Sequence, residues 1–149
     1  MTKQPVRIYG HRFAFPPSAE DENRHVNNIE YVRMMQESAI AHTRVNGWTP
    51  EELHTRGWTW VARSHFIEYL QPCRAGEEIV IETWVANFRK IRSLRKYRFV
   101  RAADGAVLAR AETDWVFLDF HKGRPMPIPP DVVAAYVIVP DEESPLALK

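Results

Sequence analysis

After Gly57 the hydrophobic and polar positions of the chain alternate with a period of two. Four runs carry the alternation, at residues 58–70, 78–88, 94–101 and 107–120. Such alternation is typical of antiparallel strands with one covered face. The Asp104-Gly105 pair before the last run is a strong hairpin signal. The second half of the chain is therefore predicted to form an antiparallel sheet.

Residues 28–45 carry a helical period instead, with apolar positions at Ile29, Val32, Met35 and Ala39. The apolar stripe is broad, which predicts a helix packed against a sheet over much of its circumference. Asn27 or Asn28 is predicted to cap its start. If Asn27 is the cap, Glu30 stands where a capping box places its acid.

The flanking segments predict shorter elements. Residues 6–15 alternate and then change parity near Gly10, which predicts a strand with a bulge or bend there. A short helix is expected from Pro50, and another at 131–136, after the proline-rich segment 124–130. Two prolines make the last ten residues a poor candidate for ordered structure. The sum is one α+β domain with a long helix and a curved sheet of about five strands.

Composition narrows the function classes. The 149 residues are 45% hydrophobic and 26% charged, with a net charge of +1, so neither nucleic acid nor a membrane is a predicted partner. A single cysteine, Cys73, excludes an intramolecular disulfide. With no apolar run long enough for a bilayer and no signal peptide, the expected location is cytoplasmic.

Polar side chains gather immediately before the long helix, where Asp21, Asn23 and His25 stand at i, i+2 and i+4. The first turn of a helix has free backbone N–H groups and the positive end of the macrodipole. Developing negative charge is stabilised there, so these side chains are candidates for catalysis.

The order of elements and one motif resemble the hotdog-fold thioesterases of the 4-hydroxybenzoyl-CoA type, and especially their acyl-ACP branch. The resemblance covers residues 6–122 and rests on the string Asp21-x-Asn23-x-His25-Val26-Asn27-Asn28-x-x-Tyr31. It implies a central helix wrapped by the sheet, edge-to-edge pairing of protomers into a homodimer or homotetramer, and active sites at the dimer interface. The implied substrate is an acyl-CoA or acyl-carrier-protein thioester, with coenzyme A or phosphopantetheine as part of the substrate and no separate cofactor or metal.

The resemblance also implies roles for individual residues. Asp21 matches the catalytic acid, as general base or as nucleophile, and Asn23 and His25 match its polar partners. Asn28 and Tyr31 match positions that shape the site. The oxyanion of the reaction is expected to meet N–H groups at the start of the helix.

Two positions depart from the family pattern. Arg24 stands where the common form of the family has glycine. Pro72 stands where the acyl-carrier branch has a glutamate before its cysteine, which leaves Cys73 as a weak catalytic candidate.

Seven basic side chains lie between residues 89 and 101. On alternating strands they form either a solvated outer face or a surface that meets the phosphates of coenzyme A or a pantetheine arm. By resemblance to the family segment near that cofactor, Arg89, Lys90, Arg92 and Ser93 are predicted to bind substrate.

Two alternatives remain open from the sequence. A hotdog enoyl-thioester hydratase also uses an acid and a histidine, although with one more residue between them than in this chain. A non-catalytic acyl-thioester binding protein is the other. Five tryptophans are expected mostly in the core, with some lining an acyl pocket.

Overall fold

The computed structural model describes residues 5–147, in which five long strands curl around one long helix. The strands form one antiparallel sheet in the order β1-β3-β4-β5-β2, and they comprise β1 (Tyr9–Ala14), β2 (Trp58–Tyr69), β3 (Glu78–Phe88), β4 (Arg92–Arg101) and β5 (Val107–Asp119). A short β6 (Arg124–Pro125) pairs with β5. The helices are α1 (Asn28–Val45), α2 (Pro50–Thr55) and α3 (Pro130–Val133). The predicted α+β fold, the long helix and the alternating strands are confirmed.

One face of α1 packs on the inner face of the sheet. Its buried residues recur at helical spacing, at Tyr31, Met34, Met35, Ser38, Ala39 and His42. They meet inward-facing strand residues such as Ile81, Tyr97 and Phe99, which are fully buried. Burial of each large side chain contributes about 1.5–3 kcal/mol. None of the helices in residues 5–147 is both long and apolar enough to cross a bilayer.

The opposite side of α1 is uncovered. Ile29 is 67% exposed and Ile40 is 41% exposed. The predicted packing of the sheet around α1 is confirmed, and the sheet leaves Ile29 and Ile40 of that helix exposed in a single chain. A single curved sheet covers one broad face of α1, and the apolar stripe of the helix is wider than that face.

The start of α1 is capped by Asn27, whose side-chain oxygen accepts the N–H of Ile29 at 3.0 Å. The predicted capping box does not form. The Asn27 N–H donates to the carbonyl of Ala19 at 2.8 Å, so it is not available to Glu30. The Glu30 carboxylate pairs with Arg33 at 3.3 Å instead.

Strand β1 is regular and has no bulge at Gly10. It pairs with β3 in unbroken register, and its partly buried residues alternate with exposed ones. The parity change near Gly10 arises because Val6 and Ile8 lie before the strand. Register shifts occur instead in β2 between Ala62 and Ser64, and elsewhere in the sheet.

The C-terminal segment is ordered as far as residue 147, contrary to the prediction. The Val139 N–H donates to the carbonyl of Val85 at 2.9 Å, beyond the part of β3 that β1 covers. Asp141 pairs with Lys96 at 2.9 Å, and the side chain of Ser144 is buried. Residues 148 and 149 of the predicted tail lie outside the described residues. Pro140 and Pro145 begin short 3-10 turns in this segment. The segment is held in place by its hydrogen bond to the free edge of β3.

Candidate active site

The loop before α1 is held in a fixed turn by backbone hydrogen bonds. The Asp21 N–H donates to the carbonyl of His25 at 2.9 Å, and the Arg24 N–H donates to the carbonyl of Asp21 at 3.0 Å. Val26, the residue after the turn, is buried, and its N–H donates to the carbonyl of Cys73 at 2.9 Å. The side chains on this turn therefore have a defined position relative to both the helix and the end of β2.

These side chains line one surface cleft of about 270 Å³, here called the loop cleft. The end of β2 and the chain directly after it, residues 69–73, form one side of this cleft. The five predicted site residues nearest the helix also line it, and they are Asp21, Asn23, His25, Asn28 and Tyr31. The structure thus places the residues of the motif around one cavity.

Asp21 is the half-buried acid of the loop cleft. Its Oδ1 accepts the backbone N–H of Asn23 at 2.9 Å, so Asn23 holds the carboxylate through its main chain. In the described part of the chain, no Arg, Lys or His nitrogen lies within 4.0 Å of this carboxylate, His25 included. The carboxylate is therefore not neutralised by a cation and keeps Oδ2 available for a proton or a ligand.

One backbone donor at the start of α1 remains without an acceptor. The N–H of Ile29 is used by the Asn27 side chain, and that of Glu30 donates to the Asn27 carbonyl. The N–H of Asn28 meets no acceptor among residues 5–147. Asn28 thus keeps a free helix-start N–H, and this residue lines the loop cleft.

Tyr31 and Cys73 close the inner wall of the loop cleft. Burial and, to a smaller extent, the nearby negative charge of Glu77 raise the pKa of the Cys73 thiol to about 11. Burial also raises the pKa of Tyr31. Both groups hold their protons at neutral pH, so Cys73 is not a thiolate nucleophile there. The Tyr31 ring packs on Tyr69 with centroids 5.2 Å apart, and the Tyr69 hydroxyl donates to the Asn28 carbonyl at 2.9 Å.

Arg24 has a φ of 61° and is the single non-glycine residue in the described range with a positive φ. This left-handed conformation accounts for glycine as the common family residue, because glycine adopts it without a Cβ clash. The chain keeps the turn and accepts the strain of a larger residue.

Arg24→Gly is accordingly expected to raise the free energy of unfolding by up to about 1 kcal/mol. Relief of left-handed strain is worth about 1–2 kcal/mol, partly offset by the entropy of glycine in the unfolded chain. Urea denaturation at pH 7 measures the change. The matched control is Glu22→Gly, at an exposed position without positive φ, which is expected to lose about 0.5–1 kcal/mol. Equal losses in the two variants would contradict the strain argument.

The predicted substrate-binding residues between positions 89 and 93 do not line the loop cleft. Arg89 and Lys90 are exposed in the β3–β4 turn, and Arg92 forks to Asp114 at 3.1 and 2.6 Å. The Ser93 hydroxyl donates to a backbone carbonyl and does not reach the loop cleft. The loop cleft lies near the other end of β4, roughly 30 Å away by strand rise. One chain therefore does not bring this cluster to Asp21.

Strand alternation divides the rest of the basic run. Lys96 and Arg98 face outward and pair with acids, as expected of a solvated face, and Arg101 at the end of the strand pairs with Glu77 and Asp104. Arg95 faces inward and is 4% exposed. It was not among the predicted site residues, although its even spacing from Tyr97 and Phe99 was a signal for an inward position.

The sequence from residue 15 to residue 136 matches the model of the thioesterase-like superfamily. Among solved structures, the chain resembles a putative oleoyl thioesterase from Lactobacillus plantarum, with a TM-score of 0.82 and 19% identity over 89% of this chain and 52% of that one. It resembles an acyl-ACP thioesterase from Bacteroides thetaiotaomicron, with a TM-score of 0.80 and 21% identity over 93% of this chain and 55% of that one. This chain thus spans about half the length of these two proteins.

A third structure matches over nearly its whole length. It is a 1,4-dihydroxy-2-naphthoyl-CoA thioesterase from Synechocystis, with a TM-score of 0.79 and 16% identity over 86% of this chain and 94% of that one. No curated protein sequence matches this chain significantly. At these identities the structural likeness establishes the fold, and the predicted hotdog fold is confirmed.

Proposed function

We propose, because this chain belongs to the thioesterase-like superfamily, that it hydrolyses an acyl thioester to a carboxylic acid and a thiol. One observation carries the proposal. The unneutralised carboxylate of Asp21 lines the same cleft as Asn28, whose backbone N–H is free at the positive end of α1. An acid and an oxyanion donor beside one cavity are what acyl transfer to water requires.

In the proposed reaction the thioester carbonyl lies in the loop cleft with its oxygen near the Asn28 N–H. Asp21 either takes a proton from the attacking water or attacks the carbonyl itself, forming an anhydride that water then opens. The C–S bond breaks and the thiolate takes up a proton. An oxyanion donor of this kind is worth about 3 kcal/mol of barrier. His25 is proposed to assist proton transfer, and Asn23 to hold the carboxylate.

The proposed substrate is an acyl-CoA or acyl-carrier-protein thioester. Structural neighbours described as a 1,4-dihydroxy-2-naphthoyl-CoA thioesterase and an acyl-ACP thioesterase support both carriers. Tyr31, at the base of the cleft, is proposed to position the acyl group. An acyl carrier protein is proposed as a partner on the same ground.

A homodimer is proposed to bring the predicted phosphate-binding cluster to the site. β2 is an edge strand, with exposed apolar side chains at Phe66 and, directly after the strand, at Leu70. In the proposed dimer, two β2 edges pair in antiparallel orientation. The C-terminal end of β2, which adjoins the loop cleft, then lies beside the N-terminal end of the partner's β2. Arg89 and Arg92 lie at that N-terminal end, since Arg92 pairs with Val116 near the start of β2. Each cleft would then be completed by the hairpin of a second copy.

The experiment is a thiol-release assay with the purified protein over acyl-CoA thioesters of increasing chain length, an aromatic acyl-CoA and acyl-carrier-protein thioesters. Turnover that releases free thiol is expected with at least one of them. Hydration of crotonyl-CoA without thiol release would identify a hydratase instead. Tight binding of acyl thioesters without turnover would identify a binding protein. Either result would overturn the proposal.

A further inference from the structure

A second cavity of about 270 Å³ lies between α1 and the sheet and shares no lining residue with the loop cleft. It is here called the interior cavity. Its walls are mainly apolar, with Leu53, Trp60, Val85, Phe88, Trp115 and Tyr136 among them. Gln36 and Ile40, which are exposed on α1, line the cavity on its solvent side.

Arg95 is the charged side chain that lines the interior cavity. Its Nη1 donates to Nδ1 of His42 at 2.9 Å and to the hydroxyl of Thr83 at 3.1 Å. No carboxylate in residues 5–147 lies within 4.0 Å of this guanidinium, whereas Arg92, Lys96, Arg98 and Arg101 on the same strand all pair with acids. Nε and Nη2 of Arg95 meet no acceptor in the same range.

The neighbours of Arg95 do not supply a negative charge. Burial and the guanidinium lower the pKa of His42 to about 4, so its imidazole is neutral at pH 7. Burial raises the pKa of Tyr136, whose hydroxyl donates to Thr43 at 2.9 Å. A buried cation without a counter-charge is costly. An anionic ligand that enters the cavity would remove that cost.

We propose that the interior cavity binds a small carboxylic acid with an apolar body, and that its carboxylate is held by the free N–H groups of Arg95. A guanidinium presents a planar fork that matches the two oxygens of a carboxylate. The other hydroxyls along the wall are used as donors elsewhere, that of Thr43 to the Ala39 carbonyl and that of Ser93 to the Asn87 carbonyl.

The volume sets the size of the acid. At about 30 Å³ for each water-sized group, the cavity holds roughly nine non-hydrogen atoms. Benzoate and octanoate are of this size, and the indole rings of Trp60 and Trp115 offer apolar surface to either one. The ligand is of the same chemical class as the acid that thioester hydrolysis would release, but its binding does not depend on that reaction.

Calorimetric titration and thermal unfolding with benzoate and octanoate test the site, with benzamide and octanol as neutral probes of the same shape. One acid is expected to bind and, at about 100 times its Kd, to raise Tm by about 5–10 °C. The neutral probes are expected to bind at least tenfold more weakly. Equal affinity for acid and neutral probe, or the absence of binding by both acids, would overturn the proposal.

Four variants locate the binding. Arg95→Met is expected to weaken acid binding by about 100-fold, and Arg95→Lys, which keeps the charge without the fork, by about tenfold. Arg98→Met, on the outer face of the same strand, is the matched control and should bind as the wild type does. Asp21→Asn should also bind unchanged, which separates this site from the proposed hydrolysis. Arg95→Lys serves alone if Arg95→Met does not fold. Undiminished binding by a folded Arg95 variant would contradict the assignment.

Discussion

Asp21→Asn is expected to lower kcat/KM for thioester hydrolysis by at least about 100-fold. The side-chain amide can neither take a proton from water nor attack the carbonyl, and catalysis by a positioned acid or base contributes about 10²–10⁴-fold. The substitution keeps an oxygen that can accept the Asn23 N–H, which Asp21 Oδ1 accepts at 2.9 Å. The turn should therefore survive while the chemistry is lost. Thiol-release kinetics with the best substrate of the panel measure the effect.

Glu22→Gln is the matched control for this experiment. Glu22 is the next residue of the same loop, is exposed, and makes no ion pair in the described part of the chain. The same loss of one negative charge there is expected to change kcat/KM by less than about twofold, because exposed charges are well screened. Circular dichroism and gel filtration check that both variants fold alike. Full activity in Asp21→Asn, or an equal loss in Glu22→Gln, would remove Asp21 from its proposed role.

The features that depend on residues close together in the chain were predicted best. Asp21, Asn23 and His25 fall within five positions of one another, and the helix that follows fixes Asn28 close by. Their gathering around one cleft therefore depends on a single turn, and the motif was sufficient to locate it. The boundaries of β3 were likewise predicted to the residue, because its alternation ends at clear turn signals.

What the sequence did not predict depends on contacts between distant segments. The C-terminal residues become ordered through a hydrogen bond from Val139 to Val85, and proline content gives no sign of this contact. The position of the Arg89–Arg92 turn relative to the loop cleft follows from strand order, which spacing along the chain does not determine. The inward direction of Arg95 was readable from alternation, but the missing counter-charge was not.

His42 is a buried histidine that no motif in the sequence singled out, and it should make the protein acid-labile. His42 is 1% exposed. Arg95 donates a hydrogen bond to its Nδ1, so the ring proton is on Nε2. This Nε2–H donates to the Val6 carbonyl at 2.6 Å. Burial first, and then the charge of Arg95, lower the pKa of His42 from 6.5 to about 4, against the opposing effect of the Val6 hydrogen bond. Protonation would end the Arg95 hydrogen bond and set two cations side by side.

The direction of the pH dependence follows from the lowered pKa. Between pH 6.5 and about 4 the unfolded chain binds a proton on this histidine that the folded chain does not, so stability falls as the pH falls. This contribution is fully present above pH 6.5, and about 3 kcal/mol of it is expected to be lost by pH 4. Urea denaturation at pH 7 and pH 4 measures the loss.

Two variants separate His42 from the other groups that titrate in this range. His42→Gln keeps an oxygen that can accept from Arg95 and an amide that can donate to Val6, but it has no proton to gain. Its loss of stability between pH 7 and pH 4 should be smaller than that of the wild type by about 3 kcal/mol. His54→Gln, at an exposed position on α2, should lose as much as the wild type. If the two variants lose equal stability, the acid sensitivity does not originate at His42.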